Sequence, residues 1–277
     1  MENLDQIQII YFVSIMAITA IPVGFFAGLF GIGGGLITVP FLFFIFDILG
    51  FDKSYLMHLA VGTSFSIIIP TSIVSVLTHK KNKSVDVSII KTYGIFVIFG
   101  VLTGIILAAS LKTQSLILFF AITVYFLGTY LFLSQEKPDK TKSEFSLLPK
   151  IIFGFISGSI SSVMGIGGAI MNVPVLKYFG YPINRAIGSA AFIGFVISLF
   201  GAIGFLISGF YLKANLPLSI GFINIPAFLI FIPITTFMAR IGANTMHKTN
   251  KTIITKLFGI FLYIVGTIFL FRYLNII

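Results

Sequence analysis

The chain has 277 residues, 57% hydrophobic and only 9% charged, with a formal net charge of +10. Its mean hydropathy is +1.10. A soluble domain carries about a quarter of its residues charged, so this composition excludes that class and leaves an integral membrane protein. Zero cysteines exclude disulfides and thiolate metal sites. His58, His79 and His247 lack metal-ligand spacing, which argues against a metalloenzyme core.

The acidic start, Met1-Glu2-Asn3-Leu4-Asp5, lacks the basic region of a cleavable signal, so the first apolar run is expected to stay as a membrane helix. That run covers about 7–30, long enough to cross a hydrocarbon core of about 30 Å. It ends at Phe30-Gly31-Ile32-Gly33-Gly34-Gly35-Leu36-Ile37-Thr38-Val39-Pro40. Residues 37–49 then make an apolar segment of about 20 Å as helix, too short for a full crossing and read as a half-helix. Full spans follow at about 57–78, 88–110 and 114–133. The charged stretch at 135–149, with Pro138 and Pro149, is the one linker.

The second part repeats the plan. A span at about 150–164 runs into Met164-Gly165-Ile166-Gly167-Gly168-Ala169-Ile170-Met171-Asn172-Val173-Pro174, 134 positions after the first glycine stretch. Another short segment covers 170–180, and full spans follow at about 186–211, 217–238 and 253–273. Ala60-Val61-Gly62-Thr63-Ser64 returns as Ala186-Ile187-Gly188-Ser189-Ala190 at an offset of 126, so the first half carries extra residues between its two motifs. The expected fold is therefore an all-α polytopic membrane protein with about eight transmembrane helices and two re-entrant half-helices. Its parts are a first repeat at 1–134, a cytoplasmic linker at 135–149 and a second repeat at 150–277.

Charge sets the orientation. With the Lys80–Lys83 loop in the cytoplasm, fourteen of the eighteen basic residues fall inside, and only Lys53, Lys112, Lys213 and Arg272 fall outside. Each half then makes an odd number of net crossings, so the halves insert with opposite orientation as an inverted repeat, a transporter architecture. Both termini are expected outside a bacterial inner membrane. The basic surplus thus orients the protein in a bilayer, and no nucleic-acid partner is expected.

Matched glycine breaks in two halves point to a transporter's binding site. A half-helix starting after each break aims its orphan amides and positive dipole end at the break, where an anion would be favoured. Gly33, Gly34, Gly35, Gly167 and Gly168 would let a ligand approach bare backbone. Thr38 and Asn172 hold matching positions, placed to cap the half-helices or to donate to a ligand. The plain alternative is that the glycines only allow close helix packing. Thr63, Ser64 and Ser189 are candidate cavity-lining residues; the plain alternative there is a hydroxyl bonded to its own i−4 carbonyl. Asp47 is the only acid within an apolar segment, and His58 and His79 lie at span ends. Scarce intramembrane acids favour an anionic or neutral substrate over a cation. No catalytic constellation and no cofactor or metal site emerges.

The pattern of Gly31-x-Gly33-Gly34-Gly35 with Val39-Pro40, His58-x-Ala60-x-Gly62-Thr63-Ser64, and His79 with Asn82 and Val85-Asp86 resembles the sulfite exporter TauE/SafE family. So do Gly165-x-Gly167-Gly168 with Val173-Pro174, Ala186-x-Gly188-Ser189, and Gly221-Phe222-Ile223-Asn224-Ile225-Pro226. Ala169 and Ser189-Ala190 depart from the first half's glycine and Thr-Ser. The resemblance implies an inner-membrane permease exporting sulfite, organosulfonates or related small anions. The function expected is a secondary transporter, with an anion channel or a carrier of another small anionic or neutral substrate as alternatives. A small anion and the lipid bilayer are its expected partners, and a homodimer is open.

Overall fold

The computed structural model describes residues 6–30, 34–81, 83–133, 146–248 and 251–276. Gly33, most of the linker at 135–149 and both chain ends lie outside the described residues. The helices are α1 (Gln6–Phe30), α2 (Gly35–Ile48), α3 (Leu56–Lys81) and α4 (Val87–Ile89), which passes through a π-helical turn at Ile90–Gly94 into α5 (Ile95–Ser110). Then come α6 (Thr113–Leu133), α7 (Leu147–Met164), α8 (Ala169–Tyr178) and α9 (Ile183–Tyr211). A ribbon of β1 (Ser219–Ile220) and β2 (Ile223–Asn224) leads into α10 (Ile225–Lys248) and α11 (Lys251–Tyr273). Among the described residues, eight helical segments are long and apolar enough to cross a membrane. Large apolar side chains stand exposed on their outer faces, among them Ile106, Phe126 and Phe237. Helices apolar all round belong in a lipid environment.

The packing is reciprocal between the two halves. Helix α1 packs along α10 as α7 packs along α5, while α3 pairs with α9 and α6 with α11. Small residues make this possible: a Cβ on Gly28 would collide with the Ala239 carbonyl of α10, and one on Gly100 with the Phe155 carbonyl of α7. Helix α3 forms the centre and is buried on every side from Leu56 to Ile68.

The two short helices, α2 and α8, share both ends. Each begins after a left-handed glycine, Gly34 (φ 84) for α2 and Gly168 (φ 71) for α8. Each stops in the same paired closure. Gly50 N–H bonds the Asp47 carbonyl and Phe51 N–H the Phe46 carbonyl; Gly180 N–H bonds Lys177 and Tyr181 N–H bonds Leu176. This is the Schellman pattern, with Gly50 and Gly180 at positive φ. Helix α2 has 14 residues and α8 has 10, one turn fewer. The offset between halves thus falls from 134 at the starts to 130 at the ends, and the longer loop before α3 brings it to 127 at the starts of α3 and α9.

One expected boundary is corrected. The span expected from 217 begins at Ile225, because 219–224 folds as an antiparallel ribbon with Ser219 opposite Asn224 and Ile220 opposite Ile223. Gly221 turns the ribbon at φ 58. Asn224 then caps α10, its Oδ1 accepting from Ala227 N–H at 3.0 Å.

Candidate functional site

The start of α2 meets the second glycine turn. A Cβ on Gly35 would lie 2.7 Å from the Gly165 carbonyl oxygen and 2.9 Å from Ile166 Cα. One on Gly165 would lie 2.8 Å from a Val39 methyl and 3.0 Å from Val61 Cα. The Gly167 carbonyl lies against Gly194 of α9 closely enough to leave no room for a side chain there. Ser64 of α3 reaches across, its Oγ donating to the Gly165 carbonyl at 3.0 Å. Only bare backbone could stack at these separations.

Beside the turns opens a cavity of about 650 Å³, whose wall includes Gly34, Thr38, Gly167, Ala169 and Ile170. Thr71, Ser72, Ser75, Thr235 and Thr236 add hydroxyls, and His79 and Arg240 are the charged or titratable groups on its wall. No carboxylate lines it among the described residues. Helix geometry leaves the amides of Gly35 and Leu36, and of Ala169 and Ile170, without an acceptor inside α2 and α8. Those amides and the two positive dipole ends converge on one region, so the local field favours negative charge.

Of the residues singled out from sequence, Gly34, Thr38 and Gly167 are on the cavity wall. Gly35 and Gly168 stand beside it, at the starts of α2 and α8. Thr38 and Asn172 do not cap their helices: neither Gly34 nor Gly168 has a side-chain cap bond. Thr38 Oγ1 instead donates to the Gly34 carbonyl at 2.9 Å, and Asn172 Nδ2 to the Gly168 carbonyl at 2.8 Å. Asn172 is fully buried, and its Oδ1 accepts from Tyr93 Oη and Ser157 Oγ, both at 2.7 Å.

Thr63 and Ser189 brace the frame. Thr63 Oγ1 accepts from the Asn224 amide at 3.0 Å, and Ser189 Oγ accepts from the Asp86 amide at 3.0 Å. Both partners are helix caps, since Asp86 Oδ1 accepts from Ser88 N–H as Asn224 Oδ1 does from Ala227. Each half thereby pins the helix cap of the other half through a hydroxyl on its central helix. Near this second brace, Arg185 and Asp86 lie 3.4 Å apart. Burial, then the Asp86 charge, pushes the Tyr181 phenol above its ordinary pKa.

Two features escaped the sequence reading, and a third, Arg240, is read from sequence as an orienting charge first and a substrate clamp second. Ser161 is fully buried, its Oγ has no hydrogen-bond partner, and a Cβ on Gly168 would lie 3.4 Å from it. It precedes Gly168 by seven positions, as Ala27 precedes Gly34, so extending the repeat alignment upstream would have exposed it. Tyr93 sits in the π-helical turn, a local widening that no periodicity signals. Arg240 proves to be on the cavity wall.

A membrane-spanning helical bundle whose two interrupted helices converge on a central cavity has the form of a membrane transporter. The chain belongs to the sulfite exporter TauE/SafE family, whose model matches residues 16–269. It is similar to a probable membrane transporter protein of Haemophilus influenzae, 34% identical over 243 residues, covering 88% of this chain and 92% of that one. A probable membrane transporter protein of Methanocaldococcus jannaschii is 32% identical over 249 residues, covering 88% and 90%. One from Bacillus subtilis is 24% identical over 274 residues, covering 91% and 95%. These names are those of transporters, not of an enzyme. No solved structure matches the chain.

Proposed function

We propose that the protein exports a small sulfur oxyanion, sulfite or an organosulfonate, across the cytoplasmic membrane by alternating access. The observation that carries this reading is the pair of half-helix starts on one cavity that bears Arg240 and His79 and, among the described residues, no carboxylate. The amides of both glycine turns would hold the anion, with Arg240 drawing it in from the cytoplasm. Charge supports the direction of opening, because the cavity lies at the end of α3 that carries Lys80 and Lys81.

The same geometry supports reading the two halves as an inverted repeat. Helix α3 starts near a second cavity, lined by Leu56 and His58, and ends at the first near His79. Its counterpart α9 passes Ile187 at the first cavity and has Leu212 just beyond its end at the second. Matched helices running in opposite directions support two halves, 1–134 and 150–277, inserted upside down with respect to each other, with both termini outside. Between the two cavities α3 is buried on all sides, and Gly201 packs against the Phe65 ring. That plug favours a carrier over an open channel. A membrane potential negative inside would assist export of a monovalent anion by about 2.3 kcal/mol per 100 mV.

The test is flux in proteoliposomes loaded with labelled sulfite, sulfoacetate or sulfate. Saturable movement of sulfite or sulfoacetate is expected. Failure of all three to move, with transport of an uncharged solute instead, overturns the reading.

A further inference from the structure

The second cavity, about 710 Å³, lies at the opposite end of the long helices. It is lined by Lys53 from the α2–α3 loop, Lys112 from the α5–α6 turn, Arg272 near the end of α11, and His58 from the first turns of α3. Under the orientation set by charge, only four basic residues lie outside, and three of them line this one cavity. Topology selects against basic residues on that face, so orienting the chain does not account for their gathering there.

The charges do not cancel locally. Arg272 pairs with Asp47 at 2.5 Å, and Asp52 spends an oxygen on the Ser54 amide at 2.9 Å. Lys53 and Lys112 make no ion pair among the described residues. The walls are tied together: Thr113 Oγ1 donates to the Ser54 carbonyl at 2.6 Å, and Gln114 Nε2 to the Tyr273 carbonyl at 3.3 Å. His58 is 2% exposed and packs against Tyr55 and Phe222. Its Nε2 lies 3.0 Å from the Ala108 carbonyl, which can only accept, so Nε2 carries a proton. Its Nδ1 is buried with no partner.

We propose that this outer cavity is a second anion site, in which Lys53 and Lys112 attract a small oxyanion or sulfonate. The site is the outward terminus of the path described above and rests on that reading. It holds the anion on the far side of the buried plug from the glycine turns. Export would pass from amides, through the plug, to lysines.

The absence of native cysteine gives a direct test. Ser110 lines the cavity and is exposed, so Ser110→Cys provides a single reporter thiol in the full chain. Membrane-impermeant thiosulfonates of equal reach, one ending in a sulfonate and one in a quaternary ammonium, are applied to the outside of intact cells. The expected result is about tenfold faster reaction with the sulfonate reagent, by electrostatic focusing, slowed by added methanesulfonate. In Lys53→Gln/Lys112→Gln the preference falls towards unity, and in Lys53→Arg/Lys112→Arg it is retained. Equal rates for both reagents, a preference that survives loss of both lysines, absence of methanesulfonate protection, or labelling only from the cytoplasmic side overturns the proposal. The flux assay reports on transport separately, so a charge-selective outer site in a protein that moves no anion would sink the transport reading and leave this one standing.

Discussion

The two short helices start alike, each after a left-handed glycine, and are anchored differently. In the first, Thr38 returns its only polar group to the Gly34 carbonyl, which also receives the amides of Ile37 and Thr38. In the second, Asn172 makes the equivalent bond to Gly168 and then two more, to Tyr93 in the π-helical turn of the α4–α5 span and to Ser157 on α7. One half-helix is self-contained, and the other is wired into the wall behind it. Helix α8 is also one turn shorter, so it buries less of itself. The side-chain network supplies hold where length does not. If the halves move against each other in transport, the first turn is the one with fewer bonds to break.

The comparison is tested most severely at the glycines. Gly35→Leu puts a side chain where a single carbon already meets the Gly165 carbonyl and Ile166 Cα. It should destabilise by about 3 kcal/mol or more and abolish folded yield, read by size-exclusion profile and thermal unfolding in detergent. Gly168→Ala combines a left-handed residue with a collision against Ile197, and about 1–2 kcal/mol should be lost from backbone strain alone.

The next effect separates the two halves. Asn172→Ala strands the Tyr93 and Ser157 hydroxyls in a buried place, at about 1–3 kcal/mol for each group left without an acceptor. Thr38→Val removes one local bond and should cost about 1 kcal/mol or less. Equal melting shifts for the two variants would break the contrast drawn here. Tyr93→Phe in the Asn172→Ala background should recover part of the loss, since it removes one of the stranded hydroxyls.

Much of this fold was legible in the chain, and the reason is the repeat. Two half-helices, their lengths and the eight long spans follow from glycine spacing and uninterrupted apolar runs. The ribbon at 219–224 was not legible, because Leu218, Ile220, Phe222 and Ile223 read as the start of an apolar helix and a two-residue strand has no period of its own. The site was half legible. Sequence located the turns, yet it assigned local back-bonding to Thr63, Ser64 and Ser189 as their plain alternative, when these bond across elements and Thr38 and Asn172 are the ones that bond their own i−4 carbonyls. Direction of a side chain around a helix depends on the neighbour it meets, which spacing within one helix does not encode.

A smaller effect sharpens the account at the cavity itself. Arg240→Gln touches an exposed side chain, so stability should change by no more than about 0.5 kcal/mol. Its apparent affinity for anion on the cytoplasmic side should nevertheless fall severalfold in inside-out vesicles. Unchanged affinity would make Arg240 an orienting charge only.

The central claim is that both glycine turns face one anion. Selenite is a heavier relative of sulfite, and its selenium can be located by anomalous scattering in crystals of the protein. The account predicts a peak in the 650 Å³ cavity within hydrogen-bond reach of the first amides of α2 and α8 together. Selenite bound elsewhere, or touching neither helix start, would contradict it.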